Sequence, residues 1–167
     1  FVPPDPIQEL RWLMRTRKQL VRERAQHVQR IQKTLEDANI KLSSVASDVL
    51  GISGRAVLNA LAAGETDPER LADLTMGRLK APRHKLVEAL HGYVLARHRF
   101  LVKLHLSQVD ALDEAIRQVE EEAGRATEPF REKAQLLTTM PGVSDIVAQT
   151  LVAEIGGHGD PDGRRGG

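Results

Sequence analysis

Leu10-Arg11-Trp12-Leu13-Met14-Arg15-Thr16-Arg17-Lys18-Gln19-Leu20-Val21-Arg22-Glu23-Arg24-Ala25-Gln26-His27-Val28 is the stretch whose pattern decides the fold. Met14, Val21 and Val28 stand seven apart, and Leu35 and Leu42 continue the series. The companion heptad positions are Leu10, Arg17, Arg24, Ile31 and Ala38, with Leu13 and Leu20 widening the stripe where the two arginines interrupt it. A heptad sustained over this length predicts a long amphipathic helix from Ile7 to about Leu42, the arm of a coiled coil. The arginines argue against a tight, uniform zipper. Asp5 is placed to cap this helix, with Pro6 at its first position.

Downstream the texture changes. From Ser43 to about Gly92 the chain is punctuated by Gly51, Gly54 and Gly64, with Ser53 as a candidate cap and Thr66-Asp67-Pro68-Glu69 as a helix start. Three short helices near 44–50, 54–63 and 68–76 are expected, forming a compact tip, and Ala81-Pro82 opens another start. From about Pro82 a second long helix should run to Ala123, loosened at Gly92. Val102, Leu106, Val109, Leu112, Ile116, Val119 and Ala123 follow three-and-four spacing along it. Two long helices joined by a compact piece imply an antiparallel pair. Gly124 and Pro129 close the second arm. Leu136-Leu137-Thr138-Thr139-Met140-Pro141-Gly142-Val143-Ser144-Asp145 then leads into Ile146–Ile155, the layout of a helix-hairpin-helix. No strand-like alternation occurs, so the expected fold is all-α: a long antiparallel coiled-coil helix pair with a compact helical tip, followed by a helix-hairpin-helix-like segment.

Composition bounds the function classes. The 167 residues suffice for one or two domains, 41% are apolar, and only 3% are aromatic, so aliphatic side chains must fill the core. There is no cysteine, which removes disulfides and thiolate metal sites and fits a cytoplasmic setting. The longest run without a charge is the eleven-residue Ala134–Ser144, shorter than the ~18 apolar residues a bilayer span requires, so no membrane helix is expected. No signal peptide pattern is visible. The proline-rich start, Phe1-Val2-Pro3-Pro4-Asp5-Pro6, reads as a connecting segment and suggests truncation at the front.

A net charge of +1 gives no global argument for nucleic acid, but the local distribution does. Between Leu10 and Lys33 lie eight basic residues (Arg11, Arg15, Arg17, Lys18, Arg22, Arg24, Arg30, Lys33) and one acid, Glu23. Arg11, Arg15, Lys18 and Arg22 share one helix face, which Gln26, Gln29 and Lys33 extend. A row of cations on a helix can follow phosphates and release counterions. The competing reading is a solvated flank that pairs with Asp110–Glu122, where six acids surround one Arg117. At the hairpin, Gly142 permits the turn, the N–H groups from Val143 onward open a new helix, and Ser144 offers a hydroxyl, a geometry suited to a phosphate oxygen. An ordinary helical corner without ligand fits the same residues.

His84, His91, His98 and His105 stand seven apart, about 10.5 Å along a helix. That is too far for neighbours to share a metal, so an exposed or interhelical stripe is expected. No nucleophile–base signature or phosphate-cradling glycine loop is present, and no catalytic or metal-binding residue is assigned.

Several segments together resemble the IS-one-ten family of insertion-sequence transposases. They are Phe1-Val2-Pro3-Pro4 with Gln8-Glu9-Leu10-Arg11, Arg22-Glu23-Arg24, Arg30–Leu42, Gly51-Ile52-Ser53-Gly54-Arg55-Ala56, Ala63-Gly64 with Thr66-Asp67-Pro68, His98-Arg99-Phe100-Leu101 and the 137–156 hairpin. They span residues 1 to about 156 in the family's order. The resemblance implies a coiled-coil arm region (1–131, helical tip about 43–81), then the start of a C-terminal transposase domain (132–156). It also implies action as a homo-oligomer on DNA, with a guide RNA. Family catalysis uses an acidic Mg site upstream and a nucleophilic serine downstream. This chain starts after the first and stops before the second, so it carries no cofactor site of its own and is expected to be inactive alone. Ser144 is not that serine. After Gly156 the family pattern is lost, and six of the last twelve residues are glycine, which suggests a disordered tail (157–167) from a frameshift or a broken gene. The expected function is part of a DNA transposase that supplies oligomerisation and nucleic-acid contacts. A stand-alone helical nucleic-acid-binding protein and a purely structural coiled coil are the alternatives.

Overall fold

The structure, a computed structural model, describes residues 5–75 and 77–128. The described residues are helical, with no strand among them. The elements are α1 (Pro6–Asp37), a 3-10 turn (Leu42–Ser44), α2 (Ile52–Ala63), α3 (Pro68–Asp73), α4 (Arg83–Ala89) and α5 (Ala96–Ala126). They fall into two compact units. One contains residues 5–22 and 112–128, the other Glu23–Ala111. The hairpin segment and the glycine-rich tail lie outside the described residues.

α1 begins as its first residues dictate. The Asp5 carboxylate accepts the Ile7 N–H at 3.0 Å, satisfying one of the donors a helix start leaves open, and the Asp5 carbonyl accepts the Glu9 N–H at 3.1 Å, the first bond of the helix. At its other end Asn39 adopts a left-handed φ of 56°, and the Ile40 N–H returns to the Leu35 carbonyl at 2.8 Å. Asparagine tolerates that conformation, so the chain turns sharply there.

In the second unit, α1 and α5 run antiparallel, with Asp37 paired to His98 and His27 to His105. Ile31 and Leu35 of α1, with Ala38 just beyond it, pack with Val102, Leu106 and Val109 of α5, and with Val57, Leu58 and Leu61 of α2. Leu71, Leu86 and Leu90 close the tip over this core. Asp67 caps α3 by accepting the Glu69 N–H at 3.0 Å, with Pro68 at the first helical position. Arg83, at the start of α4, donates to Asp73 and Glu69 of α3. In the first unit the core is smaller, with Leu10 and Ala123 fully buried and Leu13, Met14 and Ala126 packed beside them. There too the helices are antiparallel, as the Arg17–Glu120 pair shows.

The tip and the second arm differ from the sequence expectation in three respects. Residues 45–50 form turns rather than a helix. Gly51, not Ser53, precedes α2, and the buried Ser53 hydroxyl donates to the Thr75 carbonyl at 3.2 Å. The expected helix from Pro82 to Ala123 is two helices, because the chain between α4 and α5 crosses the end of α1. A Cβ on Gly92 would collide with the Ala38 carbonyl oxygen, so only glycine permits this approach. The Tyr93 N–H then donates to that carbonyl at 2.7 Å, and the Lys41 N–H to Ala89 at 2.8 Å. These bonds use backbone groups that a continuous helix would have kept for itself. α5 restarts at Ala96, where the Leu95 N–H donates to His98 Nδ1 at 2.9 Å, a capping-box arrangement with histidine in the acceptor role.

Candidate nucleic-acid interface

The heptad that buries Leu10, Ile31, Leu35 and Ala38 necessarily turns another face of α1 outward. At 100° per residue, Arg15, Lys18 and Arg22 cluster almost opposite the buried stripe. All three are exposed, as is Lys33 in the second unit. None of these four takes part in an ion pair among the described residues. Arg11 is half-buried and is engaged with a neighbour, so it is the least available member of the expected row.

The acids of α5 are committed elsewhere. Arg117 donates to Glu114 and to Glu121, each at 2.8 Å. Arg125 continues the chain to Glu122 at 2.6 Å and Glu121 at 3.4 Å. These are three- and four-residue spacings on one helix, where side chains meet without any help from a partner. The Arg117 hydrogen bond, with Gln118 second, holds the Glu114 carboxyl down at about 2. Glu120 reaches across to Arg17 at 2.9 Å. In the second unit Asp110 takes a bidentate contact from Arg55 of α2, at 2.9 and 2.6 Å, and that contact keeps its carboxyl below the usual range. Asp113 is engaged as well. In the first unit Arg17, a seam position, thus pairs with α5, while Arg15, Lys18 and Arg22 form no ion pair among the described residues.

Trp12 adds a group that the sequence reading passed over. The only tryptophan of the chain is 70% exposed on α1, three residues before Arg15. Its place off the heptad was the available signal, since a large aromatic outside the apolar seam has no core to enter. Exposed aromatic and cationic side chains on one helix are the combination that holds stacked bases and their phosphates.

The histidines divide. His84 lies on α4 and His91 between the helices, both exposed, so no four-membered stripe forms. His98 and His105 share α5 and face α1. His98 is 3% exposed, and its Nε2 donates to Asp37. His105 Nδ1 lies 3.0 Å from His27 Nδ1, and burial, then the His27 and Arg30 charges, push its pKa down. No group of three or more His, Asp or Glu that could hold a metal ion occurs among the described residues. No helix among them is long and apolar enough to cross a membrane. Gly142, Val143 and Ser144, the hairpin candidates, lie outside the described residues. Comparison with protein-family models, curated proteins and solved structures finds no match.

Proposed function

We propose that this chain is a nucleic-acid-binding helical arm, part of an insertion-sequence DNA transposase, which supplies phosphate contacts and self-association but no chemistry by itself. The observation that carries the reading is the row of cations without an ion pair among the described residues, Arg15, Lys18 and Arg22, on the same helix as an exposed Trp12. Three charges at this spacing attract a phosphate backbone, and the aromatic ring offers a platform to an unpaired base. DNA is the expected partner, with a guide RNA beside it. Self-association draws support from the first unit, whose seam residue Val21 is left 40% exposed.

Titration with duplex DNA and with structured RNA across a salt series tests this. Binding that weakens steeply with salt is the expected result, and no affinity even at low salt would sink the proposal. A strand-transfer assay with Mg²⁺ on the isolated chain should give no product. A purely structural helix pair is the second reading, favoured by the Arg17–Glu120 bridge between the arms.

A further inference from the structure

The tip carries a separate cationic groove. It is a cavity of about 500 Å³ in the second unit, between the end of α1, the 3-10 turn and α4. Asn39, Lys41, Ser44, Lys85, Glu88 and His91 are among its lining residues. Its backbone is fixed: Asn39 holds its left-handed turn, the Lys41 N–H is bonded to Ala89, and the Ser44 hydroxyl donates to the Lys41 carbonyl at 2.6 Å. The side-chain donors around it are uncommitted. Asn39, Lys41 and His91 make no side-chain hydrogen bond or ion pair among the described residues. Lys85 has only Glu88, 4.0 Å away and largely exposed, which leaves its ammonium free to turn inward.

We infer that this groove is a binding site for a phosphate group. Two lysines, an asparagine and a histidine line one concavity whose only acidic lining residue is Glu88, and a phosphate's oxygens can accept from ammonium, amide and imidazole N–H groups alike. The rigid backbone beneath them limits the ordering cost of binding. That the phosphate belongs to a nucleic acid rests on the proposed function; the site itself does not. It would give the tip a contact independent of the basic row on α1.

The test uses inorganic pyrophosphate first. Adding it to the full chain should shift the His91 ring resonances in NMR spectra. The K41Q/K85Q double substitution, at two exposed positions, should leave the thermal midpoint unchanged and weaken pyrophosphate binding at least tenfold. An unperturbed His91, or equal affinity in the variant, overturns the site. A second arm uses a short oligonucleotide. If it too loses affinity in K41Q/K85Q, the groove holds a nucleic-acid phosphate. If pyrophosphate binds but the oligonucleotide does not, the site stands as one for a free phosphate ligand, and the proposed function is what fails.

Discussion

His98 Nε2 donates to the Asp37 carboxylate at 2.5 Å, joining the first turn of α5 to the last turn of α1. The same imidazole accepts the Leu95 N–H through Nδ1, so both ring nitrogens are used and the tautomer is set. One buried side chain thereby starts a helix and docks it.

Replacing His98 with alanine should destabilise the second unit by about 1–3 kcal/mol, because the Leu95 N–H is left without an acceptor. Asp37→Asn keeps an oxygen and should cost less. The His98 bond, and then Arg97, hold the Asp37 carboxyl below its ordinary value. The stabilisation is therefore present above the unfolded pKa of about 3.9 and is lost as pH falls through the lower folded value. Acid unfolding followed by circular dichroism should show a flatter limb below about pH 4 in Asp37→Asn. An identical limb would mean that the bond does not matter.

Gly54→Ala and Gly92→Ala should each lower stability by about 1–3 kcal/mol, through overpacking against fixed backbone. Their new methyl groups would collide with the Val49 and the Ala38 carbonyl oxygens, respectively. Gly124→Ala is the contrast. It lies in α5 with nothing within 4 Å of the added carbon, so it should stabilise by about 0.4–1 kcal/mol. Urea midpoints for the three variants decide this, and a uniform response would contradict the placement of the α4–α5 crossing.

His105 is held below its ordinary pKa by burial, by His27 and by Arg30. The unfolded chain thus takes up this proton more readily than the folded one. Stability should fall as pH drops below about 6.5 toward the folded value. His105→Gln should remove part of that slope, measured as thermal midpoints between pH 5 and about 8, the range where histidine titrates. An unchanged slope would assign the pH dependence to other groups.

NMR titration of the side-chain carboxyls should find Glu114 changing protonation near pH 2, well below an unperturbed glutamate. In Arg117→Gln its midpoint should return toward the ordinary range near 4.3. Global stability should change little, because the pair is exposed and screened. A Glu114 midpoint unaffected by the substitution would break the proposed charge ladder on α5.

Much of this architecture was legible in local patterns. The seam from Leu10 to Leu35, the Asp5-Pro6 and Asp67-Pro68 starts and the Val102–Val109 face all depend on spacing within one element, whereas the helix expected to reach Leu42 stops at Asp37, where Asn39 turns the chain. A loosening at Gly92 was legible from the glycine itself, but the full break into α4 and α5 was not, because it comes from a close approach to Ala38, more than fifty residues away. His98 was hidden for the same reason. The self-pairing of the α5 acids was partly legible, since Arg117 stands at the right spacing from Glu114 and Glu121. Arg125, which completes the ladder, lies just past the acidic stretch. The basic row was readable as a row, but only the direction of the seam showed that α5 could not neutralise it.

Whether the outward cations of α1 hold nucleic acid is tested most directly by an R15Q/K18Q/R22Q variant. Its affinity for duplex DNA should be compared with that of the unsubstituted chain over a range of salt. Much weaker binding at low salt is expected, with the helical signal intact. The salt slope should be shallower by roughly 0.9 for each phosphate that the variant no longer neutralises. Equal affinity and an equal slope in the two proteins would contradict the proposed role of these cations.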